Sequence, residues 1–284
     1  MLVSEVTTQD VLRALHPHWG ERTDTAQRVR GRIEQVLDWS VVAGHRPAGD
    51  NPAHWRGNLQ HLLAAPRKVA AAGNQPAIAL DDLPRWWADL ARREGTGADA
   101  LQFLALTAAR SGEVRGMNWD EVDLAAGIWI VPAGRTKTGK EHRVPLPAAA
   151  VALLSDLPRM QGTDLVFPAS RGGVLKDEVM SGLMKRIHAE AVGRGDPGYL
   201  DPASKRPAVP HGLRSSFRDW VAERTTFPGD LAELALGHRI GSAVEAAYRR
   251  GDQIEKRRKM MEDWRAALVG EMTGQVIPLR GAGA

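Results

Sequence analysis

The stretch "HGLR" sets His211 and Arg214 one helical turn apart, and Tyr248, one of two tyrosines in the chain, stands ten residues after His238 in "LGHRIGSAVEAAYRR". Arg110 lies upstream in "TAARSGE", and Lys137 in the polar run "RTKTGKE". As a set these residue types suit a phosphate. Two guanidinium groups can make bidentate hydrogen bonds to its non-bridging oxygens and hold the negative charge that builds there in phosphoryl transfer. A tyrosine hydroxyl can attack phosphorus, although its ordinary pKa of about 10 calls for proton removal or a strongly cationic setting. Two arginines, a lysine and two histidines supply that setting, and a lysine or histidine can protonate the departing alkoxide. Nothing in the set requires a metal, and no cofactor is called for.

Taken singly, each residue has a plainer reading. An arginine that ends a helix commonly complements the helix dipole, a lysine in a turn is commonly solvated, and a lone histidine or tyrosine is commonly a satisfied, partly buried side chain. Tyr199, the other tyrosine, sits in the Gly/Pro-rich "GDPGYLDPAS" and reads as a structural or loop residue.

The elements that must position these residues are mostly helical. "QDVLRALH" is a short helix, and Thr23 and Asp24 offer the N-cap of a longer one with Val29, Ile33, Val36, Leu37 and Ser40 on one face. "AHWRGNLQHLLA" resumes the helical pattern, and "APRKVAAAGNQPAIAL" has the character of a linker. Asp81, Asp82 and Pro84 look like a helix start, and "ADALQFLALTAARSG" is an apolar helix that Arg110 ends and Gly112 closes. From Asp123 the period changes to two: "GIWIVPAG" and "HRVPLP" predict a hairpin or short meander with Lys137 in its turn. Helical patterns return at "AAAVALLSDL", "KDEVMSGLMKRIHAEAVG", "GLRSSFRDWVAER", "DLAELALG" and "SAVEAAYRR". A last helix near Gln253 to Val269 places Ile254, Met261, Trp264 and Leu268 on one apolar face. The fold class is therefore mostly α with a small antiparallel β-sheet.

Bulk properties narrow the setting. At 284 residues and 43% hydrophobic, the chain can bury a sizeable core. It has no cysteine, which removes disulfides, thiolate metal ligands and thiol nucleophiles. No apolar run approaches the roughly 18 residues that cross a bilayer, so the expected location is cytoplasmic, with no membrane partner. The net charge of +4 is only mildly basic, but "RRGDQIEKRRK" carries six basic residues against two acidic, and "GRTKTGKEHR" four against one. A solvated face explains either cluster as readily as nucleic acid does.

Five ordered segments, "TAARSGEVRGMNWDEVDL", "TKTGKEHRVPLP", "HGLRSSFRDW", "LGH" and "AAYRR", together resemble the tyrosine recombinases, most closely the P4-like phage and genomic-island integrases. The likeness runs from about residue 20 to about residue 268. It implies residues 1–68 as part of a helical core-binding domain, 69–78 as linker, 79–270 as the catalytic domain and 271–284 as a tail. It also implies roles. Arg110 and Arg214 would clamp the scissile phosphate, with Glu113 bracing the first arginine. Lys137, or Lys140 in the same turn, would protonate the leaving 5' oxygen. His211 would exchange a proton with the nucleophile, His238 would donate a hydrogen bond to the phosphate, and Tyr248 would form a 3'-phosphotyrosyl link. Such a final helix docks in cis or on a neighbouring protomer in this family, and the sequence does not choose.

The partner so implied is double-stranded DNA carrying attachment sites. The protein would be a monomer in solution and a tetramer on DNA, with an accessory DNA-bending protein and a place at the bacterial nucleoid. Arg28, Arg30, Arg32, Arg56, Arg67 and Lys68 of the N-terminal region, with Lys140, would add phosphate contacts. Members of this group usually carry an arm-binding domain and further core-binding helices, and the chain begins inside what resembles the second half of the core-binding domain. Two other outcomes share the chemistry or the partner: a truncated fragment that binds DNA without recombining it, and relaxation of DNA in the manner of a type IB topoisomerase.

Overall fold

The computed structural model describes residues 1–66, 75–238 and 251–271. It divides into two compact units, Met1–Gly73 and Asn74–Ala284. The described elements are helices and one small antiparallel sheet, and none of those helices is long and apolar enough to cross a membrane.

In the first unit α1 (Thr8–Trp19) starts at a reciprocal cap. Asp10 N donates to Thr7 Oγ1 at 3.3 Å, and Thr7 N donates to Asp10 Oδ2 at 3.0 Å. It packs on α2 (Thr23–Val42) around Val11, Leu15, Trp19, Ala26 and Leu37. The buried stripe of α2 differs from the predicted one. Ala26, Leu37 and Ser40 are buried and Ile33 is partly buried, whereas Val29 and Val36 are exposed. Following that stripe at helical spacing places Arg30 on the inner face, where its Nη1 donates to Glu34 Oε2 at 2.7 Å and to the Ala53 carbonyl at 2.8 Å.

The helix predicted across "AHWRGNLQHLLA" is replaced by turns and a single 3-10 turn at Leu59–His61. Side-chain amides take over the backbone there: Asn51 Oδ1 accepts from Ala53 N at 2.8 Å, and Asn58 Nδ2 donates to the Pro52 carbonyl at 3.0 Å. Trp55 stacks on Trp19 with centroids 5.7 Å apart.

The second unit is built around α4 (Thr96–Thr107), which is buried on nearly every side. α3 (Leu83–Ala91), α6 (Ala148–Asp156), α7 (Asp177–Gly193) and α10 (Ile254–Val269) surround it. A short α5 (Ser111–Arg115) follows α4, while α8 (Gly212–Arg224) and α9 (Gly229–Ala235) precede α10. The sheet runs β1 (Val122–Asp123), β2 (Ile128–Val131), β3 (His142–Pro145), all antiparallel, with Val131 opposite His142 and Trp129 opposite Val144. The two-residue β1 is too short to show a period in the sequence.

α10 docks on its own chain. Met260, Met261, Trp264 and Leu268 are buried, and Trp264 Nε1 donates to the Ala105 carbonyl of α4 at 2.7 Å. Its basic run is not uniformly solvated either. Arg257 is 1% exposed, donating to the carbonyls of Asp252 and Arg143 at 2.7 and 2.6 Å and pairing with the Asp252 carboxylate at 3.0 Å.

Candidate functional site

α8 enters the site through a close approach. A Cβ on Gly212 would lie 1.7 Å from the Pro76 carbonyl oxygen, so only glycine fits at the second position of "HGLR". One turn on, Ser216 Oγ donates to the Ile78 carbonyl at 2.7 Å and accepts from Ile78 N at 3.0 Å. This double contact fixes the start of the helix that carries His211 and Arg214.

Arg214 is 5% exposed, and its contacts reach two segments, Ala108 and the turn after α9. Nη1 donates to the Ala108 carbonyl at 2.6 Å; Nη2 donates to the Leu236 carbonyl at 2.7 Å and to His238 Nε2 at 3.1 Å. Burial, then the charge of Arg110, lowers its pKa to about 10, so it keeps its proton near neutrality.

Arg110 does not end the apolar helix as its sequence suggests. α4 stops at Thr107, Ala108 takes the left-handed conformation at φ 49°, and Arg110 is extended ahead of α5. The left-handed Ala108 costs on the order of 1 kcal/mol, and its carbonyl is the one that Arg214 holds. Glu113, buried in α5, grips Arg110 twice: Oε2 accepts from its backbone N–H at 3.1 Å and Oε1 from Nη1 at 2.7 Å. Arg110 Nη2 reaches the Gly237 carbonyl at 3.5 Å.

The turn after α9 therefore serves several side chains at once. Leu236 offers its carbonyl to Arg214, Gly237 to Arg110, and Ala235 accepts from His142 Nε2 at 3.1 Å. Gly237 sits at φ +62° against the His142 ring, which would lie 3.3 Å from any Cβ placed there. His142 is held uncharged, its pKa lowered to about 4 by burial and by Arg257. His238 closes the turn, and its Nδ1 lies 2.6 Å from Glu233 Oε2.

Arg110, Lys137, Thr138, His211 and His238 line an open cleft of about 430 Å³, with the Arg214 guanidinium behind His238. His211 has its pKa lowered by burial and then by Arg214, Arg110, His238 and Lys137, which favours a neutral imidazole able to take a proton. Lys137 projects from the exposed turn between β2 and β3. Lys140 is exposed and outside the cleft lining, its carbonyl accepting from Thr136 Oγ1 at 2.7 Å. Arg135 anchors that turn to the Glu113 and Gly116 carbonyls and to Glu121.

Tyr248, Lys68 and Arg67 lie outside the described residues. Tyr199 is 1% exposed, and its hydroxyl donates to Asp89 Oδ2 at 2.6 Å; burial and that carboxylate raise its pKa, so its proton is firmly held. Among the other candidate phosphate contacts, Arg28, Arg32 and Arg56 are exposed, whereas Arg30 is spent inside its unit. No group of three or more metal-binding side chains comes together among the described residues.

Sequence reasoning passed over Glu233, His142, Arg135 and Arg257. Glu233 stands five residues before His238, but an acid on a short amphipathic helix gives no signal of its own. His142 reads as a strand residue until its register opposite Val131 shows that it lies under the turn.

Comparison with known proteins places this geometry in context. The model described as "Phage integrase family" matches residues 91–254, and that described as "Phage integrase central domain" matches residues 1–58. "Prophage integrase IntA" of Escherichia coli (strain K12) is 27% identical over 279 residues, covering 97% of this chain and 62% of that protein. The integrase of Enterobacteria phage P4 is 27% identical over 262 residues, covering 85% and 54%. The chain thus spans less than two thirds of the length of these relatives. Among solved structures, a lambda integrase dimer bound to a COC' core site has a TM-score of 0.56 at 19% identity, covering 89% of this chain and 82% of that one. The Tn1549 transposon integrase in complex with transposon right end DNA reaches 0.58 at 14% identity, covering 91% and 85%. At these identities the structural likeness concerns the fold.

Proposed function

The chain belongs to the phage integrase family, and on that premise we propose that it cuts and rejoins DNA at specific sites through a 3'-phosphotyrosyl intermediate. The observation that carries the reading is the cleft itself, where Arg110, Lys137, His211 and His238 converge with Arg214 braced behind them. A scissile phosphate there would lose water and gain guanidinium donors aimed at its non-bridging oxygens.

In this reading the Tyr248 oxygen attacks the phosphorus and passes its proton to neutral His211. The phosphorus–tyrosine oxygen bond forms, the bond to the 5' oxygen breaks, and Lys137 protonates that leaving oxygen. Arg110 and Arg214 hold the charge that builds on the non-bridging oxygens, with Glu113 keeping Arg110 in place. His238 adds a further donor. The phosphotyrosyl ester retains the energy of the diester, so the 5'-hydroxyl of a partner strand reverses the attack without ATP, and two such exchanges through a four-way junction recombine two duplexes.

Its partner would be double-stranded DNA carrying attachment sites, contacted in the first unit by Arg28, Arg56 and Lys68 and near the cleft by Lys140. The chain would be monomeric in solution, tetrameric on DNA, aided by a DNA-bending protein and located at the nucleoid. Lambda integrase has been solved as a tetramer bound to a Holliday junction, which supports that assembly. Paired plasmids bearing the two attachment sites, incubated with the 284-residue chain, should yield reciprocal recombinants. Relaxation of a supercoiled plasmid lacking any site, without recombinants, would overturn the reading.

A further inference from the structure

His238 has a ring whose two nitrogens are committed in different ways. Its Nε2 lies 3.1 Å from Arg214 Nη2, and a guanidinium only donates, so Nε2 must be accepting. The single proton of the neutral ring is then on Nδ1, which donates to Glu233 Oε2 at 2.6 Å. Glu233 Oε1 is taken by Arg218 Nε at 2.9 Å, so the carboxylate is fixed from its other side as well. The fold brings the pair together: Glu233 is on α9, and the turn after α9 returns His238 to it.

Such a ring cannot donate to a phosphate oxygen from Nε2. Donation from Nε2 while Nδ1–H stays on Glu233 requires the doubly protonated ring, its second proton taken from solvent. The imidazolium so formed is surrounded by cations, Arg110, Lys137 and Arg214, with His211 also on the cleft and Arg218 on the flank. The anions near it are Glu113, paired with Arg110, and Glu233, in direct contact. His142 lies under the same turn in its uncharged form.

We infer that Glu233 is a positioning residue for His238: by accepting from Nδ1 it fixes the ring, in the tautomer that Arg214 imposes, and it supplies the counter-charge when Nε2 donates to the scissile phosphate. This rests on the recombinase reading of the cleft. Arg218 acts one step further out, holding the carboxylate.

The test uses the full chain with histidine labelled by nitrogen-15, the His238 signals being assigned by their loss in His238→Gln. Without DNA, the wild type shows the Nδ1–H tautomer at His238. Glu233→Ala, with Arg214 still on Nε2, keeps that tautomer but loses the downfield, exchange-protected Nδ1 proton signal, which Glu233→Gln, whose amide oxygen still accepts, retains. With a nicked attachment-site duplex, Glu233→Ala slows covalent adduct formation by about a hundredfold, as expected for one misdirected donor to a developing charge. DNA affinity and melting temperature stay within about twofold and a few degrees of wild type. Glu233→Gln, lacking only the charge, falls between. An unchanged Nδ1 proton signal in Glu233→Ala, or loss of affinity and melting temperature in step with rate, overturns the inference. If the wild type forms no adduct on any DNA, the recombinase reading fails and the Nδ1 proton signal still decides whether Glu233 orients His238.

Discussion

Arg214 and Lys137 approach the same cleft and are held in opposite ways. Arg214 is buried, with two backbone carbonyls and a histidine ring fixing its guanidinium before any phosphate arrives. Lys137 rides on an exposed turn anchored at its base by Arg135, and among the described residues nothing is hydrogen-bonded to its ammonium group. The difference matches the roles proposed for them. Charge stabilisation gains from preorganised donors that need no rearrangement, whereas an acid must reach an atom whose position is set only when DNA is bound.

Breaking the braced member should cost most. Arg214→Ala is expected to depress adduct formation on nicked attachment-site DNA by 10³-fold or more, on the order of losing several oriented donors. It should also lower the melting temperature, because the Ala108 and Leu236 carbonyls lose their buried partner. A variant that keeps wild-type stability would show that the brace is dispensable. Lys137→Ala should slow cleavage by about 10²- to 10³-fold with an unchanged melting temperature. A substrate with sulfur in place of the leaving 5' oxygen, which departs without protonation, should restore the rate. If Lys140→Ala gives the larger defect, the two lysines exchange roles.

The braced side also carries a pH dependence. His142 titrates near 4 in the folded chain against an ordinary value of 6.5, so the unfolded chain binds the extra proton first. Its contribution is complete above about pH 6.5 and is lost as pH falls toward 4, up to about 3 kcal/mol. Denaturant titrations of wild type and His142→Gln should diverge in slope only within that window. The smallest effects extend the contrast to the first unit. Arg56→Ala should weaken DNA binding by about 1 kcal/mol or less and reduce the salt slope by about one. Arg30→Ala should leave the salt slope alone and lower stability instead, since Glu34 and Ala53 already occupy that guanidinium.

What was legible in the sequence follows the same division. The sheet strands, the apolar α4 and the helix bearing "HGLR" announce themselves through periodicity, and the cleft residues form a set whose types suit a phosphate. The break at Ala108 was hidden because an alanine in a helical run carries no stop signal; a carbonyl bond from Arg214, 106 residues away, holds it. Arg257 was hidden for a similar reason. A basic cluster reads as solvated, and only the approach of β3 gives one of its members a buried carbonyl to bind. "AHWRGNLQHLLA" misled because asparagine side chains replaced the helical hydrogen bonds its apolar spacing suggested.

The central claim is that a cationic cleft activates Tyr248 toward a DNA phosphate, and the chain's two tyrosines make it decidable. Digestion of the covalent adduct formed on a nicked attachment-site duplex, followed by mass-spectrometric mapping of the nucleotide-bearing peptide, should place the link on Tyr248. A link on Tyr199, or on any other residue, would contradict the account.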